Sequence, residues 1–157
     1  MTSALKLGLF SLVAGIVVCA TPSSSSAADL KPWDQATVTG LAQKLVPTSE
    51  AFWQAMRRQP GDMAGSGESG ANTGLQSKAR TLTEVTQGLA GHLAKGDGFD
   101  KTVDMYKSMK ELVDDILNAE EFDSMTAPTT TAWGNFMAVM KQLAPYYDPK
   151  GASDIQP

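Results

Sequence analysis

The chain has 157 residues, 42% of them hydrophobic, and its 17 acidic against 13 basic side chains leave a formal charge of −4. That length suffices for one domain with a real core. The mild acidity and the lack of a basic cluster argue against nucleic acid and against anionic membrane surfaces, both of which recruit Lys and Arg in number.

The N-terminus reads as a leader. MTSALK carries Lys6 and no acid, Leu7 to Ala20 is an apolar run of 14 residues in which Ser11 is the one hydroxylated side chain, and TPSSSSAA follows with small residues. A basic start, an apolar middle and a small-residue end are the pattern of a secretory signal peptide. The run is shorter than the roughly 20 residues a helix needs to cross a bilayer core, which favours a leader over an anchor. Cleavage is expected after Ala28, with Ala27 the near alternative. A lipid-modified Cys19 is disfavoured, because Val18 stands where a small residue would precede it. The mature chain then holds 12 basic and 17 acidic residues and no cysteine, so no disulfide can staple it. The expected organisation is a signal peptide over 1–28, a helical domain over 29–148 and a disordered tail over 149–157. The expected location is a bacterial periplasm or the outside of the cell.

Beyond the leader, apolar residues recur at helical spacing. In the first stretch Val38, Leu41, Leu45, Phe52, Trp53 and Met56 share a face, and the phase runs unbroken through Pro47. The spacing predicts a kinked helix from about Asp34 to Gln59, with a break into two helices as the alternative, ended by Pro60 and Gly61.

Next comes GSGESG, Gly65 to Gly70, which matches the G-x-G-x-x-G pattern of dinucleotide-binding turns. That motif works only between a buried strand and a helix. Here it lies in PGDMAGSGESGANTG with a predicted helix on either side, and it reads as a linker loop.

The second stretch carries Leu75, Ala79, Leu82, Val85, Leu89 and Leu93. Thr73 and Gln76 are spaced as a capping box at its start, and KGDG, Lys95 to Gly98, offers a glycine C-cap at its end. The third, about Phe99 to Glu120, presents Val103, Tyr106, Met109, Leu112, Val113, Ile116 and Leu117, a face broad enough for two neighbours. The fourth begins near Pro128 and shows Trp133, Phe136, Met137, Met140, Leu143 and Ala144 before Pro145, where it is expected to stop. Four amphipathic helices with short connections predict an all-α, antiparallel up-down-up-down four-helix bundle.

Little chemistry can be built from these residues. A di-iron bundle needs Glu-x-x-His on two helices, and His92 is the lone histidine, with Leu89 three residues before it. Structural zinc lacks its four ligands. With no Cys in the mature chain and no G-x-S-x-G, a nucleophile with an adjacent base is not assembled, so no enzyme is expected. No cofactor is expected either. The alternative is a non-covalent haem b, or a metal, held by His92 with Met105 or Met140. Against it, His92 borders the Leu89 and Leu93 stripe, and methionines on an apolar face ordinarily fill a core. Met137 and Met140 form an M-x-x-M pair suited to copper(I) but lie on such a face. The acidic run Asp114, Asp115, Glu120, Glu121 and Asp123 reads as a solvated face, with Lys107 and Lys110 four residues before Glu111 and Asp114; divalent-cation binding is the other reading.

Trp33, His92, Tyr146 and Tyr147 fall at one end of such a bundle. They either plug the core or form a surface where a protein or a small apolar ligand docks. The functional expectation is a non-catalytic interaction or small-ligand-binding module, with no nucleic acid and no stable membrane anchor.

Overall fold

The structure is a computed structural model that describes residues 30–59 and 71–148, the side chains of 71–73 and 121 excepted. The described residues form helices α1 (Gln35–Arg57), α2 (Ala71–Ala94), α3 (Phe99–Leu117) and α4 (Ala127–Tyr147), with a 3-10 turn at Glu120–Ser124 and no strand. None of these helices is long and apolar enough to cross a membrane. The leader, the GSGESG loop with Pro60 and Gly61, and the 149–157 tail lie outside the described residues.

α1 starts where its cap dictates. The Asp34 carboxylate accepts from the Thr37 hydroxyl at 2.6 Å and from the backbone N–H groups of Ala36 and Thr37 at 3.1 and 3.4 Å. These bonds, that of the Thr37 hydroxyl foremost, hold the carboxyl below its ordinary range. The helix then continues through Pro47 as one element. Pro47 and Gln43, the residue four before it, are both exposed, so the carbonyl that the proline deprives of its donor stands on the solvent side. On the same turn the Thr48 hydroxyl donates to Leu45 C=O at 2.9 Å and the Ser49 hydroxyl to Val46 C=O at 2.9 Å.

The Thr73 hydroxyl of the expected capping box lies outside the described side chains. The helix begins at Ala71, which places Thr73 inside its first turn, and the Gln76 amide donates across to Met56 C=O of α1 at 3.4 Å. The Gln76 amide nitrogen therefore serves an end of the neighbouring helix. At the other end the glycine cap forms: Gly96 takes φ +87°, its N–H bonds Leu93 C=O at 3.0 Å, and the Asp97 N–H bonds His92 C=O at 3.2 Å. This paired 5→2 and 6→1 pattern is a Schellman motif, and glycine takes the left-handed backbone with no Cβ penalty.

α3 ends at Leu117, three residues before the expected Glu120. At the C-cap both the backbone N–H and the side-chain amide of Asn118 return to Asp114 C=O, at 3.0 and 2.7 Å, and the Ala119 N–H turns to Ile116 C=O at 3.2 Å. Lys110 pairs with Asp114 at 3.1 Å as its spacing predicts, whereas Lys107 turns back to Asp104 at 3.2 Å rather than on to Glu111.

α4 begins at Ala127 with Pro128 in its first turn, and it overrides the expected stop at Pro145 to reach Tyr147. The magnitudes explain the override. A proline inside a helix costs about 3 kcal/mol. Burying two aromatic side chains returns about 1.5–3 kcal/mol each, and Tyr146 and Tyr147 are only 3% and 6% exposed.

Hydrogen bonds between elements fix which ends meet. The Gln35 amide from the start of α1 bonds Leu93 C=O and Asp97 C=O beyond the end of α2, both at 3.1 Å. Lys31 N–H bonds Pro145 C=O near the end of α4 at 2.8 Å. Past the other end of α1, the Gln59 amide bonds the Thr129 hydroxyl near the start of α4 at 3.0 Å. The Thr102 hydroxyl on α3 meets the Tyr147 hydroxyl on α4 at 2.9 Å. α1 packs on α2 and α4, and α2 packs on α3.

Between the helices lies a continuous core that includes Phe52, Leu82, Met109, Phe136 and Met140. Buried hydroxyls within it are answered locally: Thr86 donates to Leu82 C=O at 2.6 Å and Thr83 to Ala79 C=O at 3.0 Å. Among the described residues only the Tyr106 hydroxyl and the Trp133 indole nitrogen are buried side-chain polar atoms without a hydrogen-bond partner.

Candidate functional site

Three of the four predicted patch residues close the end of the core. Trp33 meets Tyr147 edge-on at 5.4 Å and Phe99 at 5.9 Å, while Tyr147 stacks on Tyr106 at 4.6 Å with the rings 6° from parallel. The Trp33 indole N–H donates to the Gln35 side chain at 2.9 Å. Tyr146 is buried too, with the Lys31 ammonium 4.7 Å from its ring centroid. The tyrosines are thus interior side chains, and the patch is a plug rather than an open aromatic surface. Its hydroxyls are chemically quiet. Burial, with the Asp148, Tyr147 and Asp114 charges behind it, pushes Tyr106 well above the ordinary phenol range. Burial also raises Tyr147, offset in part by the bond with Thr102.

His92 sits beside this plug without joining it. Its side chain is 42% exposed, and its Nδ1 lies 2.8 Å from the Asp97 carboxylate, whose other oxygen holds the Lys101 ammonium at 2.9 Å. The bonds from Lys101 and then His92 keep the Asp97 carboxyl below its ordinary range, and Asp97 in turn raises Lys101. This cluster laces the Schellman turn to the first turn of α3.

The alternative ligands occupy three different settings: His92 at this surface, Met140 fully buried in the core, and Met105 half-buried at the α2/α3 seam. Among the described residues no three His, Cys, Asp or Glu side chains come together to hold a metal. Asp114 and Asp115 are engaged with Lys110 and Lys78.

A hollow lies elsewhere, along the seam of α2 and α3. It measures about 470 Å³, and Val85, Gly88 and Met105 line it together with Glu84, Asp104 and Ser108. Gly88 leaves the space open, since a Cβ built there meets nothing within 4 Å. Such a volume falls at the lower part of the range for small-molecule pockets. The sequence carried a signal for it: Val85 and Met105 sit at the margins of their apolar stripes, and a glycine inside a helix costs about 1 kcal/mol against alanine, which asks for a reason.

A second, more polar region lies on the α1/α2 seam, where Trp53, Arg57, Gln76, Ser77 and Arg80 line a hollow of about 300 Å³. Trp53, expected in the core, is only half-buried there. Its ring carries the Arg57 guanidinium at 5.3 Å from the centroid.

No protein-family model matches the chain, and neither a curated protein nor a solved structure shows significant similarity to it.

Proposed function

We propose that this chain is an exported, non-catalytic binding module, an antiparallel up-down-up-down four-helix bundle that holds a small apolar ligand in the α2/α3 hollow. The hollow carries the reading: about 470 Å³ of open space faced by Val85, Met105 and the bare backbone of Gly88. An apolar ring or short alkyl chain that filled it would remove apolar surface from water on both sides, worth about 25 cal/mol per Å² before the cost of association. Support for the topology comes from the bonds of Gln35 to the end of α2, Lys31 to the end of α4 and Thr102 to Tyr147. Export rests on the Lys6, Leu7 to Ala20 and TPSSSSAA pattern; the secreted chain is then expected to begin at Asp29, or at Ala28 by the alternative cleavage, which its intact mass reads directly.

The binding test is a titration with the neutral dye N-phenyl-1-naphthylamine. Wild-type protein is expected to bind one equivalent with saturable fluorescence. Gly88→Leu, which fills the hollow and improves helix propensity, should fold at least as stably yet bind at least about tenfold more weakly. Saturable binding untouched by Gly88→Leu, or no saturable binding by the wild type, would refute the assignment.

A further inference from the structure

The α1/α2 seam concentrates the guanidinium groups of the molecule. The sequence contains three arginines, Arg57, Arg58 and Arg80. Arg57 and Arg80 line one hollow with Trp53, and Trp53 and Arg80 also border a second hollow of about 410 Å³ that includes Thr83, Glu84 and Gln87.

The two arginines are prepared differently. Arg80 uses Nε on Glu84 at 3.0 Å, which turns its remaining N–H groups to other use. Arg57 has no carboxylate within ion-pair distance among the described residues, and its guanidinium rests over the Trp53 indole. Stacking of this kind holds the fork in place and leaves its N–H edge free, so less side-chain freedom is lost when an oxyanion is gripped. Glu84, the acidic residue lining these hollows, is matched by Arg80. Among the described residues the two guanidiniums share the seam with Glu84 and with the Glu50 carboxylate that Gln87 bonds, and Arg57 is ion-paired with neither.

The rest of the lining is amide and hydroxyl. The Gln76 and Gln87 amide nitrogens are spent on Met56 C=O and Glu50, and among the described residues their carbonyl oxygens and the Ser77 hydroxyl have no donor. A body that donates several O–H groups fits this lining better than an apolar one.

We propose that the Arg57 and Arg80 seam is a binding site for a small hydroxylated anion of the sugar-acid or sugar-phosphate class, with the oxyanion on the two guanidiniums and the hydroxylated body along Ser77, Gln76 and Gln87. The site is independent of the α2/α3 hollow, and either can fail without the other. A plain alternative role for Arg57 is to complement the dipole at the end of α1, where it occupies the last turn. That role needs a positive charge but no planar fork.

The test follows the three arginine Nε–H signals by NMR at constant ionic strength. Glucose 6-phosphate, glucuronate, inorganic phosphate and glucose are titrated separately. The expected result is a saturable shift of Arg57 and Arg80, but not Arg58, with at least one anionic sugar, tighter than with phosphate alone and with glucose inert. The stronger of the two sugars tells phosphate from carboxylate. Arg57→Lys keeps the charge and the fold, and it is expected to weaken binding by about tenfold or more through loss of the bidentate fork. Four results would each overturn the proposal: no saturable shift with either sugar, equal movement of all three arginines, phosphate alone binding as tightly as the sugars, or full binding by Arg57→Lys.

Discussion

Replacing Trp133 by alanine is expected to remove about 3–5 kcal/mol of folding stability, a large share of the about 5–15 kcal/mol that holds a domain together. Trp133 is 3% exposed and touches three other rings: Phe52 at 4.9 Å, Phe136 at 5.7 Å and Phe122 at 5.8 Å. Truncation leaves a cavity bordered by α1, α4 and the 3-10 turn, and no single side chain can collapse into it. Trp133→Phe should behave quite differently. The indole nitrogen is buried without a partner, and leaving a donor in that state costs about 1–3 kcal/mol. The smaller ring loses area but sheds that penalty, so the net change is expected to stay under about 1.5 kcal/mol. Urea denaturation of the two variants reads the difference. Equal losses would mean that the indole N–H has a bound partner in solution.

The second large effect belongs to Tyr147. Its ring meets Trp33, Phe99 and Tyr106, joining the segment before α1 to α3 and α4. Tyr147→Ala is expected to cost about 3–5 kcal/mol. Its hydroxyl accounts for a small part of this: Tyr147→Phe gives up the Thr102 bond, worth about 1 kcal/mol. Tyr106→Phe has the opposite sign. The Tyr106 hydroxyl is buried and unpaired, so its deletion should raise stability by about 1 kcal/mol.

The same two residues set an alkaline limit. Both phenols titrate higher in the folded chain than the ordinary value of 10.0. Their contribution is whole below pH 10 and is lost as pH climbs through the folded values, because only the unfolded chain releases the protons. Over that window stability falls by up to about 1.4 kcal/mol per pH unit for each group. Melts from pH 8 upward should fall less steeply for Tyr106→Phe than for the wild type. Parallel slopes would show that Tyr106 reaches water.

Most of the core was legible because helical period alone sorts interior from surface. Val38, Leu41, Leu45, Phe52 and Met56 are buried as their spacing predicts, as are Leu75, Ala79, Leu82, Leu89 and Leu93. All of Trp133, Phe136, Met137, Met140, Leu143 and Ala144 are interior. Helix ends were harder, since they depend on partners distant in sequence. Gln76 is spaced to cap its own helix but bonds α1, and Pro145 reads as a stop until the burial of the two tyrosines is weighed against it. The glycine cap was readable because Gly96 acts through its own backbone. The α1/α2 hollows were not. A seam such as Trp53, Arg57, Gln76 and Arg80 exists only when two helices lie side by side; on its own helix Trp53 reads as core, and Arg57 and Arg80 read as ordinary surface residues.

The bond from Lys31 N–H to Pro145 C=O has a mechanical consequence. It places the point where the chain enters α1 beside the point where it leaves α4. A load pulling those two points apart meets the seam end-on, and contacts from the Trp33 plug inward give way one after another. Tension is never shared along the full length of the two helices, so the molecule opens like a zip rather than resisting in shear.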